Sequence, residues 1–326
     1  MQRRLPLGHI NIVAACTLAL GACSAQDYSE PISTFATAAT DADSALKDLD
    51  TTVTNNYTDF LARRALSTPG ATVLAAQKEC EPGSSQCTLV IQYPNEPPEQ
   101  YPPQPLLGNM VAVMSGIRTY AQNLAALAND DSAAKAAADV NATLGSIQSL
   151  ANTVAKLDAK ATTTVPDFAT PVGAGVNWLL GQYANQVKLE GLRVATKQAR
   201  PVVDRAAAIF SSAALFGSDP QRKKLSQTVR GKIDAYQDSN QHTMADLNEV
   251  AEAAQSYNVL LQAQPAETFK KMGDAHAALA DALNNPNLSL SQMIAKVNEF
   301  AAQVQQLSKI VKDLAALSQE PAKVTK

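Results

Sequence analysis

The apolar residues of this chain recur every three and four positions over long stretches, and this spacing is the strongest constraint on its fold. In the last stretch the recurring residues are Leu290, Met293, Val297, Phe300, Val304, Leu307, Val311 and Leu314. Steps of three and four place successive side chains on one face of an α-helix, because the helix has 3.6 residues per turn. The spacing therefore predicts a long helix that buries a continuous apolar face against other helices.

Three further series have the same spacing. They are Phe35, Ala39, Ala42, Leu46, Leu49, Val53, Asn56 and Phe60; Val140, Leu144, Ile147, Ala151 and Val154; and Val229, Ile233, Tyr236, Asn240, Thr243, Leu247, Val250, Ala254, Tyr257 and Leu261. Proline and turn-forming residues separate the series and indicate helix ends. We predict helices at 31–66, 107–129, 131–163, 171–217, 219–262, 265–284 and 289–318. Pro201 should kink the fourth helix or break it after Arg200.

The predicted fold class is mainly α: an elongated antiparallel helical bundle with coiled-coil-like heptads. A continuous helix over 219–262 would extend roughly 65 Å at 1.5 Å per residue, so the molecule would be a rod. Charged residues make up 17% of the chain, against about 25% in typical domains, and Ala, Leu and Val supply most of the apolar share. This composition favours closely packed helices and argues against disorder.

The first 23 residues have the layout of a secretion signal. Arg3 and Arg4 form a basic start, and an apolar stretch from Ile10 to Leu20 follows that is too short to span a bilayer. Its ending, Leu20-Gly21-Ala22-Cys23, resembles the lipobox of bacterial lipoproteins. The resemblance implies diacylglycerol on the Cys23 sulfur, cleavage before Cys23 and acylation, for example with palmitate, of the new amino group. Two acyl signals on one residue would give firm attachment to a membrane.

The resemblance also implies a location. In enteric-type Gram-negative bacteria an Asp after the lipidated Cys is the usual signal for retention in the inner membrane, and Ser24 stands there in this chain. We therefore expect a lipid-anchored protein of the bacterial cell envelope, at the outer membrane. A plain signal peptide with a chance cysteine, or an uncleaved anchor, is the alternative. Without Arg3 and Arg4 the 27 basic residues become 25 against 30 acidic ones, a formal charge of −5 for the mature chain.

Cys80 and Cys87 form an even pair in the mature chain, and the periplasm is oxidising. The turn-rich residues between them and the strand-forming flanks 71–78 and 88–93 predict a β-hairpin with a Cys80–Cys87 disulfide near its tip. A metal site would need further ligands, and a redox pair more often has Cys-x-x-Cys spacing. The residues at 95–105, with prolines at 97, 98, 102, 103 and 105, should form a polyproline-like strap after the hairpin.

These features divide the chain into five parts. They are a signal peptide at 1–22, a lipidated N-terminus and first helix at 23–66, the hairpin and proline-rich strap at 67–105, the long-helix bundle at 106–318, and a flexible tail at 319–326.

The sequence has few groups suited to catalysis, and we predict no enzyme, no cofactor, no metal and no small-molecule substrate. Only His242 and His276 remain after signal cleavage. His242 and Asp246, four residues apart, could lie on one helix face as two metal ligands, but a solvated surface explains them as well. The net charge of −3 for the full chain gives no support for nucleic-acid binding.

Two segments are possible contact surfaces. Arg222, Lys223 and Lys224 form the strongest local basic cluster, which could contact anionic lipid or an acidic partner, or simply be a solvated helix start. Trp178 lies in an apolar cluster that could pack in the core or form a docking tip.

The function predicted from these features is that of a membrane-anchored, non-enzymatic scaffold or interaction module with a protein partner in the envelope. A first alternative is a membrane-active protein, similar in shape class to the α-helical pore-forming toxins, with Val172–Leu180 or Ala206–Phe216 as the inserting segment. A second alternative is an unrecognised cell-wall hydrolase with two carboxylates in a cleft.

Overall fold

The fold is described from a computed structural model. It describes residues 25–75, 89–101, 107–130, 132–157, 184–212, 219–239, 242–262, 265–285 and 289–319. The signal peptide, Cys23, the Cys80–Cys87 segment, Trp178 and the tail from residue 320 lie outside these ranges.

Among the described residues the chain forms eight α-helices and three short strands. The helices are α1 (Ser29–Ser67), α2 (Gly108–Asn129), α3 (Ala133–Leu157), α4 (Ala184–Ser212), α5 (Asp219–Asp238), α6 (Met244–Gln262), α7 (Pro265–Asn284) and α8 (Leu290–Gln319). The strands are β1 (Thr72–Ala75), β2 (Leu89–Gln92) and β3 (Glu99–Tyr101), and a short 3₁₀ turn at Ala25–Tyr28 precedes α1. The prediction of a mainly helical bundle is confirmed.

The heptad residues line the core, as their spacing predicts. In α8 every residue of the series from Met293 to Leu314 is buried, and Leu290 is partly buried against the same core. In α1 the series is buried from Phe35 to Asn56. Helix α1 also buries five alanines, at 36, 38, 39, 42 and 45. Small side chains at a helix contact let neighbouring helices approach closely, which explains how a core poor in aromatic residues is filled.

Six of the helices contact one another in a closed ring in the order α1, α2, α3, α4, α7, α8 and back to α1. Helix α2 runs antiparallel to α1, because Asn129 lies beside Ser33 at one level and Ser115 beside Asp43 at another. Helix α7 is also antiparallel to α1, since Tyr28 bonds to Ala282 while Phe35 contacts His276. Most neighbouring helices in the ring therefore run in opposite directions.

Two neighbouring pairs in the ring are parallel, which corrects the prediction of a uniformly antiparallel bundle. Helix α3 runs antiparallel to α2, because Asn123 bonds to Ala142 and Gly116 lies beside Leu150, so α3 has the direction of α1. Helix α4 runs antiparallel to α7, because Arg193 bonds to Leu283 and Ser211 to Ala266, so it has the same direction as α1 and α3. Helix α8 starts where α7 ends and also runs with α1. Heptad spacing specifies which face of a helix is buried and carries no information on the direction of its neighbour.

The predicted continuous helix at 219–262 is wrong: α5 ends at Asp238 and α6 begins at Met244. The hydroxyl of Thr243 accepts a hydrogen bond from the backbone N–H of Asp246 at 3.1 Å, and the Asp246 carboxylate accepts from the backbone N–H of Thr243 at 3.3 Å. This reciprocal pairing is a capping box, which begins a new helix. The two helices form a hairpin that packs α5 on α1 and α6 on α8.

Pro201 lies inside α4, which continues through it to Ser212, so of the two expected outcomes, a kink or a break after Arg200, the break does not occur. A proline inside a helix removes one backbone hydrogen bond. In α4 the apolar residues on either side are nevertheless buried, including Ala199, Val202, Val203 and Ala206. Their packing against the ring offsets the lost hydrogen bond.

The predicted hairpin is present, with a third strand where a polyproline strap was expected. Strand β1 pairs antiparallel with β2, with Thr72 opposite Gln92, and β2 pairs antiparallel with β3, with Leu89 opposite Tyr101. Ile91 and Tyr93 pack on Leu61 of α1 in a small second core. The sheet is therefore held against the C-terminal end of α1.

Two helical glycines provide a matched test of the packing. A Cβ at Gly191 would lie 2.5 Å from Cγ2 of Val140 and 3.3 Å from Cδ2 of Leu127, whereas a Cβ at Gly145 would meet nothing within 4 Å. We expect Gly191→Ala to lower the free energy of unfolding by about 1–3 kcal/mol, because buried Val140 must shift. Gly145→Ala should raise it by up to about 1 kcal/mol through helix propensity. Urea unfolding of both variants measures the difference, and equal effects would show that α3 and α4 do not pack as described.

Candidate functional site

Most of the residues singled out in the sequence lie outside the described part of the chain. Cys23, Cys80, Cys87 and Trp178 are among the residues the structure does not describe. Arg222, Lys223 and Lys224 lie in the first two turns of α5, and their side chains are also outside the described part. The proposed lipid site, disulfide and contact residues therefore remain predictions.

The expectation that His242 and Asp246 share one helix face is wrong, whereas the alternative of a solvated surface agrees with the exposed His242. His242 precedes α6, and its exposed ring lies 4.8 Å, centroid to centroid, from the ring of Tyr236. The Asp246 carboxylate instead accepts a hydrogen bond of 2.7 Å from the Thr243 hydroxyl. Within the described ranges no group of three or more His, Cys, Asp or Glu residues is placed to hold a metal ion.

His276 is fully buried in the ring of helices, a feature that the sequence analysis missed. Its Nε2 atom lies 2.9 Å from the hydroxyl of Tyr120, and its ring contacts that of Phe35 at 5.9 Å between centroids. The sequence does contain a pattern that predicts this burial. His276 continues the three-and-four spacing of the buried residues Phe269, Met272, Leu279 and Leu283 in α7. A histidine on an apolar heptad face predicts a buried imidazole.

Burial and the charge of Arg200 lower the pKa of His276 from 6.5 to about 3, so the imidazole is neutral at pH 7. Its Nδ1 atom has no hydrogen-bond partner among the described residues. If the Tyr120 hydroxyl donates to Nε2, only the Nδ1–H group is left unpaired, whereas the opposite arrangement leaves two groups unpaired. We therefore assign the proton to Nδ1. Burial also raises the pKa of Tyr120 far above its usual value, so its hydroxyl keeps its proton.

A second buried polar group, Asp43, connects α1 to α2. Its Oδ1 atom accepts a hydrogen bond of 2.7 Å from the Ser115 hydroxyl, and Oδ2 lies 2.8 Å from both Lys47 Nζ and Arg118 Nη1. A buried carboxylate is tolerated when charged and hydrogen-bonded partners replace water. Because Ser115 and Arg118 belong to α2, the contact fixes the register of the two helices. Both Asp43 and His276 thus have structural environments.

The end of α1 beside the sheet carries a cluster of charged and aromatic side chains. The Arg64 guanidinium pairs with the carboxylates of Glu96 and Glu99 and lies 4.2 Å from the centroid of the Tyr93 ring. The neighbouring acidic groups, above all Glu96, which accepts a hydrogen bond from Arg64, raise the pKa of Arg64. Burial is the main cause that raises the pKa of Tyr93. These contacts attach the loop between β2 and β3 to α1.

Beyond this cluster lie apolar side chains that the fold leaves in solvent. Leu66 is 91% exposed, Val73 56% and Leu74 49%. They flank the turn between α1 and β1, where Gly70 has a φ of +80°. Val73 and Leu74 follow one another in β1, so their side chains point to opposite faces of the sheet, and this end of the sheet carries an exposed apolar side chain on each face. We call Leu66, Val73 and Leu74 the sheet-end surface, and it is the candidate functional site.

The membrane-active alternative depended on Val172–Leu180 or Ala206–Phe216. The first run lies outside the described residues, and in the second Ala206, Ala207 and Phe210 are buried, with the Phe210 ring stacked on Phe269 at 4.5 Å. No helix in the described ranges is both long and apolar enough to cross a bilayer.

Comparison of the chain with protein-family models, with curated proteins and with solved structures finds no match.

The buried His276 predicts a loss of stability in acid. Its pKa is about 3 in the folded chain and 6.5 when exposed, so the unfolded chain binds the extra proton first as the pH falls. Above pH 6.5 the neutral imidazole makes its full contribution to the free energy of unfolding. That contribution, at most about 5 kcal/mol, is lost as the pH falls toward 3. Urea unfolding between pH 7.5 and pH 4, a range chosen to bracket the exposed value, measures the loss.

A double variant isolates the effect of this pair. Tyr120→Phe with His276→Leu replaces both polar partners by apolar groups, so stability at pH 7 should change little while the acid dependence becomes shallower. His242→Ala, at an exposed position, should leave the acid dependence unchanged. An identical pH profile in the double variant and the parent chain would contradict the burial of a neutral imidazole.

Proposed function

We propose that this chain is a lipid-anchored, non-enzymatic protein of the bacterial cell envelope that presents a helical scaffold to a protein partner. The observation that carries the proposal is the sequence Leu20-Gly21-Ala22-Cys23 at the end of a short apolar stretch. Such a site supplies the cysteine sulfur and, after cleavage, the amino group that the acyl chains modify. Attachment would be at the outer membrane, since Ser24 follows the cysteine.

The architecture of the described residues supports a scaffold. Helix α1 is 39 residues long, which corresponds to about 58 Å at 1.5 Å per residue. Helices α2 and α8 pack along it, and it carries the sheet at its C-terminal end. Helix α1 therefore connects the start of the bundle to the sheet as one continuous helix.

The sheet-end surface is the proposed contact for the partner. Leu66, Val73 and Leu74 expose apolar side chains beside the charged pair of Arg64 and Glu96. Strand β1 lies at the edge of the sheet, so a partner that encloses it would contact apolar side chains on both of its faces, with polar groups around them. The partner's surface is accordingly expected to offer a small apolar depression.

Replacement of the lipidated residue tests the anchor. Cys23→Ala should abolish incorporation of labelled palmitate and prevent cleavage of the signal, because the processing enzymes act on the cysteine. Cys16→Ala, a cysteine of the same signal, should leave both unchanged. Mass spectrometry of the mature N-terminus measures the modification directly. A free thiol at Cys23 in the parent protein would contradict the proposal.

Site-specific crosslinking tests the partner contact. A photoreactive amino acid replacing Leu66 or Leu74 in cells should give one discrete crosslinked protein product. The same amino acid replacing Gln305, an exposed residue of α8, should not give it. Val73→Glu should reduce the yield from position 66 by adding a charge to an apolar contact. Equal products from all positions would indicate random collisions and contradict a specific surface.

A further inference from the structure

The residues that follow Cys23 are built into the bundle. Ala25 and Tyr28 are buried, and their 3₁₀ turn contacts α1, α2 and α4. The Tyr28 hydroxyl donates a hydrogen bond of 3.1 Å to the carbonyl of Ala282, near the end of α7. Packed structure is therefore present two residues after the proposed lipid site.

This spacing limits how far the bundle can move from a lipid on Cys23. Two residues span at most about 7 Å even when fully extended. A flexible linker of twenty residues would instead have a mean end-to-end distance of about 25 Å. With the acyl chains in a bilayer, this end of the bundle would be held against the headgroup layer.

Several helix ends meet at this end of the bundle. Asn129 Nδ2, at the end of α2, donates a hydrogen bond of 3.0 Å to Ser33 Oγ of α1. Arg193 Nε of α4 donates one of 2.8 Å to the carbonyl of Leu283. The first contact places the start of α1 level with the end of α2. The second places the end of α7 level with Arg193, the tenth residue of α4, so the first nine residues of α4 continue past this level.

The exposed side chains there include the charged Lys135 and Glu190, which pair with Asp130 and Arg193. The other exposed side chains are mostly neutral and polar: Gln26, Asn129, Ser132, Gln186, Asn284, Asn285 and Ser289. Amide and hydroxyl groups can hydrogen-bond to phosphate and ester oxygens of lipids and add no charge against an anionic leaflet. The acidic residues Asp27 and Glu30 lie at the start of α1, where the positive end of the helix dipole offsets their charge.

We propose that this end of the bundle, formed by Ala25–Ser29 with the exposed polar residues beside it, is a membrane-contacting surface that rests on phospholipid headgroups. The proposal rests on the lipidation of Cys23. Helix α1 then leads away from the membrane and carries the sheet-end surface about 58 Å from the anchored end.

Energy transfer to a bilayer tests this orientation. The full lipidated chain is reconstituted in vesicles of phosphatidylethanolamine and phosphatidylglycerol that carry an acceptor dye on the headgroups. A fluorescent amino acid replaces either Asn285, at the proposed membrane end, or Ser67, at the far end of α1; both positions are exposed. We expect transfer from position 285 to be several-fold stronger than transfer from position 67, because transfer falls steeply with distance.

A linker variant and an acylation measurement separate the possible outcomes. Insertion of twelve Gly and Ser residues between Ser24 and Ala25 adds about 19 Å of mean reach and should weaken transfer from position 285. Acylated protein with equal transfer from both positions, or with transfer unaffected by the insertion, would overturn the membrane-contacting surface and leave the proposed function standing. Absence of acyl chains on Cys23 by mass spectrometry would overturn both.

Discussion

The packing of α1 along the bundle is the interaction on which the rest of the structure depends. Its apolar stripe is buried from Phe35 to Asn56, against α2 and α8 on its two sides. The 3₁₀ turn precedes the helix, and the sheet core is built on Leu61 near its end. The buried Asp43 fixes its register with α2, since its two oxygens satisfy Ser115, Lys47 and Arg118 together. Displacing α1 by one turn would break these contacts at once.

Much of this fold could be predicted from local spacing. The series in α1 and α8 are buried almost without exception, because alternating steps of three and four select one face of a helix whatever surrounds it. The break between α5 and α6 was missed although Thr243 and Asp246 have capping-box spacing. The heptad series continues across that break, so the spacing predicts one helix where the structure has two. Leu247 shows the consequence: it belongs to the series, yet it is exposed where the second helix has restarted.

The contacts that define the two ends of the bundle could not be predicted in this way. Tyr28 and Ala282 are separated by 254 positions, and Ser115 and Asp43 by 72. The relative direction of two helices determines which residues far apart in the sequence come into contact. Heptad spacing does not specify that direction, as the parallel pairs α1–α8 and α3–α4 show. The sheet-end surface was missed for a related reason. Leu66 continues a helical sequence and gives no local sign that its helix extends beyond its neighbours into solvent.

A short tether and a long helix together specify a height above the membrane. Where a flexible linker joins lipid to body, the body samples many heights and its partner can be at any of them. In the proposed arrangement two residues separate Cys23 from buried Ala25, and α1 continues for 39 residues to the sheet. The sheet-end surface would then meet only a partner located near the height of α1 above the membrane surface. Partner choice would follow from distance as well as from side-chain chemistry, and shortening α1 by whole turns would move the contact out of reach while leaving its residues intact.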